Sequence, residues 1–111
     1  MDPFVRRLVE RLFEPGQPLS RNRHFHTFEN PEGRKALRIR RRLVDLQEAM
    51  ASCQRDGGTV TVERTVDEDG VETVALQLKG PGTSRTTYLE ADEFELLQRL
   101  PGVAAALPAQ R

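Results

Sequence analysis

The chain has no tryptophan, a single tyrosine and a single cysteine, and just two lysines among its 17 basic side chains. It also lacks any apolar run approaching the ~18 residues of a membrane span. Each shortage excludes something. One thiol, Cys53, cannot build an intramolecular disulfide framework, a four-thiolate zinc site or a CxxC redox pair, and its isolation points to a reduced, cytoplasmic setting. Tyr88 and five phenylalanines supply few rings for a platform that stacks nucleic-acid bases. Residues 1 to 14 carry charge too often to contain the apolar stretch of a signal peptide.

Catalytic signatures are missing as well. Gly80-Pro81-Gly82 lacks the Gly-Lys-Ser/Thr of a phosphate loop, and its proline removes a backbone donor that phosphate binding would use. Asp67-Glu68-Asp69-Gly70 lacks the third ligand residue and the distal Glu of a calcium-binding loop. No serine, histidine and acid stand at a spacing that supports a triad, and with two histidines general acid-base work falls to carboxylates that nothing singles out. The expectation is a protein that is not an enzyme and needs no cofactor.

What is present suits one small domain: 111 residues, 37% of them hydrophobic, with a mean hydropathy of −0.58 that leaves part of the chain solvated. Asp2 is a natural N-cap and Pro3 a natural first helical residue. Phe4, Val5, Leu8, Val9, Leu12 and Phe13 follow at helical spacing, predicting a short amphipathic helix within residues 1–14. Its Arg6, Arg7 and Arg11 resemble those of an interfacial membrane helix, but three turns are short for one, and its apolar face is expected to dock on the domain or on a partner.

Residues 15–30 collect Pro, Gly, Asn and Ser and read as a linker or extended arm, with no clear helical period through residue 33. Arg23 to Phe28 is compatible with an edge strand. Its His24 and His26 would put two rings on one side of such a strand, too few ligands for a metal site, so no metal is expected.

The strongest helical signal begins at Asn30, a cap, and Pro31. Ala36, Ile39, Leu43, Leu46, Met50 and Cys53 recur at three-four spacing, widened by Leu37, Val44 and Ala51 beyond a two-position seam. Cys53 on that stripe reads as a small hydrophobe. The helix should end near Asp56-Gly57-Gly58.

The period then changes to two. Val60, Val62 and Val66, then Val74, Leu76 and Leu78, predict two strands joined by a tight turn at Asp67-Glu68-Asp69-Gly70, where Gly70 supplies positive φ. Arg85 to Leu89 predicts a third strand after the break at Lys79-Gly80-Pro81-Gly82. Residues 91–100 predict a closing helix with Phe94, Leu97 and Leu100 on one face, ended by Pro101-Gly102, with one further turn over Val103 to Leu107 and a frayed tail. The expected fold is α+β. A three-stranded antiparallel meander is packed by a long basic helix and a C-terminal helix within residues 31–107, after a short N-terminal helix.

Charge supplies the one functional pointer. Residues 1–55 hold 12 basic and 7 acidic side chains, a net of +5, and residues 56–111 hold 5 and 10, a net of −5. Six cations, Arg34, Lys35, Arg38, Arg40, Arg41 and Arg42, fall within nine residues of the long helix. Like charges at i,i+4, as in Arg34 with Arg38 and Arg38 with Arg42, oppose helix formation unless an anion relieves them.

Three sources of that anion stand open: the hairpin acids Glu63, Asp67, Glu68, Asp69 and Glu72, the acidic surface of a protein partner, or a nucleic-acid backbone. A pI near 6.7 and scarce aromatics weigh against nucleic acid, and a linker of some 15 residues is far too long for a helix-turn-helix. The expected function is a non-catalytic interaction module, an adaptor or regulator. It would meet an acidic protein partner through Arg34, Lys35, Arg38, Arg40, Arg41 and Arg42, with Phe4 and Leu8 of the first helix. Nucleic-acid binding through the same arginines is the alternative. A homodimer along the Ala36 to Cys53 seam is possible only in antiparallel form, because Arg40 and Arg42 repel in a parallel one. No stable membrane insertion is expected.

Overall fold

A computed structural model describes residues 1–13 and 30–108. The arm over 15–30, except Asn30, the possible strand at 23–28, the His24 and His26 pair and the last three residues of the tail lie outside the described residues. The fold is α+β, an antiparallel sheet of three strands in the order β1-β2-β3 with helices before and after it. The chain forms two compact units, residues 1–43 and 44–111, and the boundary falls inside the long helix.

In the first unit, helix α1 spans Pro3–Leu12. Asp2 starts it as expected, its Oδ1 accepting from the backbone N–H of Phe4 at 2.7 Å and of Val5 at 3.3 Å. Val5, Leu8, Val9 and Leu12 are buried, while Phe4 is 46% exposed. Helix α2 spans Pro31–Arg55. Asn30 caps it, its side-chain oxygen accepting from Gly33 N–H at 2.7 Å, and Pro31 costs nothing where the N–H has no helical partner. Ala36, Leu43, Leu46 and Met50 are buried, and Ile39 and Cys53 are half-buried, so the stripe predicted for this helix is its buried side.

In the second unit, α2 closes with the paired bonds of a Schellman motif: Gly57 N–H donates to Gln54 O at 3.1 Å and Gly58 N–H to Cys53 O at 2.8 Å. Strands β1 (Thr59–Val66), β2 (Glu72–Gly80) and β3 (Thr83–Glu90) follow as a meander. The β1–β2 loop is five residues long rather than four, because pairing ends at Val66 with Glu72. Asp67 holds it. Its carboxylate accepts from the N–H of Asp69 and of Val71, each at 2.9 Å, and Gly70 adopts φ +79.

Val74, Leu76 and Leu78 line the buried face of β2, and Val60, Val62 and Arg64 stand beside them on β1. Helix α3 covers Ala91–Leu97, shorter than the predicted 91–100. Pro101 disfavours helical backbone at Leu100, and the chain tightens into three-residue bonds from Arg99 N–H to Leu96 O and Leu100 N–H to Leu97 O, each 3.1 Å. A final turn, α4, spans Val103–Ala106. Phe94, Leu96, Leu97 and Val103 are buried, and Gln47 of α2 donates to Pro101 O at 2.8 Å.

Candidate interaction surface

The basic cluster lies on the N-terminal half of α2. With about 100° of rotation per residue, Arg34, Lys35, Arg38, Arg41 and Arg42 fall within about 120° of arc, and about 12 Å of helix axis separates the first from the last. All five are exposed. Lys35, Arg38 and Arg41 make no hydrogen bond or ion pair among the described residues. Arg40 stands apart from them: it is half-buried, and its Nε is shielded from solvent without a partner among the described residues. Its angular position, about 40° from Ala36 and 60° from Leu43 on the helix wheel, turns it toward the buried stripe and accounts for that shielding.

Local electrostatics disfavour this cluster as a helix segment. The positive end of the helix dipole lies at the N-terminus, where cations are destabilising, and Glu32 is the sole acid in the first turn. Repulsion between Arg34 and Arg38 and between Arg38 and Arg42 adds a few tenths of a kcal/mol per pair. Local helix energetics therefore do not favour these cations; Arg34 and Arg42 have interactions within the chain, whereas Lys35, Arg38 and Arg41 make no ion pair among the described residues.

Of the hairpin acids considered as neutralisers, two are engaged within the hairpin. Glu72 pairs with Arg64 at 2.7 Å across the β1–β2 ladder, and Asp67 accepts from its own turn. Arg64 also lies over the Phe94 ring, 5.1 Å from its centroid, which fixes the guanidinium between a carboxylate and an aromatic face.

On α1 the two expected apolar contacts divide. Phe4 is presented, whereas Leu8 is only 4% exposed and belongs to the buried face with Val5, Val9 and Leu12. The outer face carries Arg7 and Arg11, with Arg6 engaged by Glu10 one turn on at 3.1 Å. Cys53 is half-buried, its Sγ 3.6 Å from the carbonyl oxygens of Thr59 and Lys79, so it closes the junction between the end of α2 and the sheet. Among the described residues, no helix is long and apolar enough to cross a membrane.

One feature escapes a reading by composition. The face of the sheet opposite Val74, Leu76 and Leu78 bears a concavity of about 380 Å³ lined by Thr61, Glu63, Thr65, Ala75, Gln77, Thr86 and Tyr88. The signal for it was the polar half of the period-two pattern, but those residues converge only once the register of all three strands is known. Comparison with protein-family models, with curated proteins and with solved structures finds no match to the chain.

Proposed function

We propose that the chain is a non-catalytic interaction module of the cytoplasm, an adaptor or regulator whose arginine-rich helix face meets an acidic protein partner. One observation carries the reading: Lys35, Arg38 and Arg41 are exposed and make no ion pair among the described residues, on a helix face shared with exposed Arg34 and Arg42. Lys35, Arg38 and Arg41 on so short an arc match a cluster of carboxylates, and Arg pairs with carboxylates through two parallel hydrogen bonds. Phe4, exposed at the start of α1, supplies an apolar contact of the kind that anchors such interfaces. The protein-partner reading is preferred to nucleic acid because the chain is neutral overall and its exposed large hydrophobic residues include one tyrosine and one phenylalanine.

The test compares the parent protein with Arg38→Glu/Arg41→Glu. Both positions are exposed, and the change removes the like-charge pairs that Arg38 makes with its i±4 neighbours, so helicity by circular dichroism should be kept. Fluorescence anisotropy with a labelled polyglutamate peptide should show binding that the double variant loses by at least about tenfold, the loss of one charge-assisted pair or more. Tighter binding of a labelled random oligonucleotide, falling steeply with salt, would transfer the arc to a phosphate backbone. Binding of neither probe would refute both uses.

A further inference from the structure

The outward face of the sheet is the second place where side chains converge without serving the core. Glu63 pairs in register with Ala75, and Ala75 with Tyr88, so the three stand in one row across β1, β2 and β3. With strands about 4.8 Å apart, Glu63 and Tyr88 are separated by about 10 Å, and between them stands a side chain of one methyl group. The result is a slot. Its floor is Ala75, its walls are a carboxylate and a phenol ring, and the next row supplies Thr61, Gln77 and Thr86 in the same register.

Tyr88 is 65% exposed, among the most exposed of the large hydrophobic residues, and Glu63 is exposed and makes no hydrogen bond or ion pair among the described residues.

We propose that this slot binds an arginine side chain presented by a basic protein segment. A guanidinium is flat and about 3.5 Å thick in van der Waals contact, so it can lie on the Tyr88 ring as a cation–π pair while its fork meets the Glu63 carboxylate. Its remaining N–H donors find acceptors in the hydroxyls of Thr61 and Thr86 and in the Gln77 amide oxygen. The charge at the slot itself favours a cation: Glu63 forms its wall and Glu90 stands in the next row, while Lys79, the one cation in register on this face, stands two rows from Glu63 at the other end. Lysine fits less well, since a compact ammonium gains less from stacking and has no fork to match a carboxylate.

The proposal concerns a surface separate from the basic arc of α2 and stands or falls independently of it. The test is a titration of the isotopically labelled full chain with N-acetyl-arginine amide, with N-acetyl-citrulline amide as its neutral near-isostere, read by backbone amide shifts. Saturable shifts are expected at Glu63, Ala75 and Tyr88 with the arginine probe, and at least about tenfold weaker binding with citrulline, the loss of a charge-assisted hydrogen bond.

Glu63→Gln and Tyr88→Ala should each weaken the response, Tyr88→Phe should keep it, and Ala75→Leu, which fills the slot from its floor, should abolish it. Glu68→Gln/Asp69→Asn, which removes two hairpin charges and leaves the slot intact, should change affinity by less than about threefold, separating a site from the general field. Equal shifts with citrulline, a response that survives Ala75→Leu, or no saturable shift at all would overturn the proposal.

Discussion

Gly58 is the residue whose replacement tests the packing account most sharply, because the constraint there is space and not backbone conformation. A Cβ at this position would lie 2.5 Å from Lys79 O, 2.6 Å from Cys53 Sγ and 3.0 Å from Cys53 O. Carbon and oxygen in contact normally stand at least about 3.3 Å apart, so relief requires a shift of nearly an ångström at one backbone carbonyl. Neither carbonyl moves cheaply. Lys79 belongs to the β1–β2 ladder opposite Thr59, and Cys53 O accepts the Gly58 N–H that closes α2.

Overpacking of this kind costs about 1–3 kcal/mol. With two backbone contacts involved, we place Gly58→Ala at the upper end, a fall of about 10 °C in Tm for a chain of this size. Gly57→Ala is the comparison, since its Cβ would meet nothing within 4 Å and the sole penalty is φ +77, about 1–2 kcal/mol for a side chain in left-handed backbone. Urea and thermal unfolding followed by circular dichroism should rank Gly58→Ala below Gly57→Ala, with unchanged m-values. Adding Cys53→Ala to Gly58→Ala should recover part of the loss by removing the sulfur and leaving both carbonyls. A Gly58→Ala protein within about 0.5 kcal/mol of the parent, the usual range for surface changes, would refute the close approach of helix end and sheet.

Two further predictions concern polar groups with assigned work. Glu93 is buried and its Oε1 accepts from the Glu90 N–H at 3.0 Å at the start of α3. Glu93→Ala should therefore cost about 1 kcal/mol in urea unfolding, whereas Glu93→Gln keeps the acceptor and should cost less than half as much. Arg64 joins Glu72 and the Phe94 ring in an exposed setting. Arg64→Ala should lower stability by about 1 kcal/mol, and Arg64→Lys should recover only a fraction, because an ammonium loses the stacking.

The elements whose ends are marked by local chemistry were legible. Asp2-Pro3 and Asn30-Pro31 start their helices where the caps predicted, since a cap acts through hydrogen bonds within three residues. The first two strands followed from a period of two and the third from the β-favouring residues Arg85 to Leu89, and the cluster on α2 needed only the sequence and 100° per residue. Other details needed a closer reading than the pattern alone. On α1, Leu8, Leu12, Val5 and Val9 span about 100° of arc and are buried, while Phe4 lies at the edge of that stripe and is exposed. The end of α3 near Leu97 reflects Pro101, four residues on, acting back through the residue before it.

The slot at Glu63, Ala75 and Tyr88 depends on a single residue of loop length. A four-residue turn over 67–70 would have paired Glu63 with Val74, and a slip of one reverses which face each side chain occupies. The fifth loop residue, held by the Asp67 carboxylate, places Glu63 beside Ala75.

Neutrality of the whole chain removes a general attraction to polyanions, but a local contact responds to the charge within a Debye length of about 8 Å at physiological salt. At that range the two halves of this sequence present different chemistry. The exposed arc of α2 presents Lys35, Arg38 and Arg41 beside Arg34 and Arg42, and the outward face of the sheet carries Glu63, with Glu90 in the row beyond it and Lys79 at the other end.

If both surfaces bind, increasing salt should weaken the two interactions independently. Substitutions at Arg38 and Arg41 should leave arginine binding at the slot unchanged, while Ala75→Leu leaves acidic-peptide binding unchanged. A protein with two such surfaces can hold an acidic and a basic partner at once, which is the physical content of calling it an adaptor. Should either substitution abolish both interactions, the surfaces are energetically coupled, and regulation of one partner by the other becomes the better description.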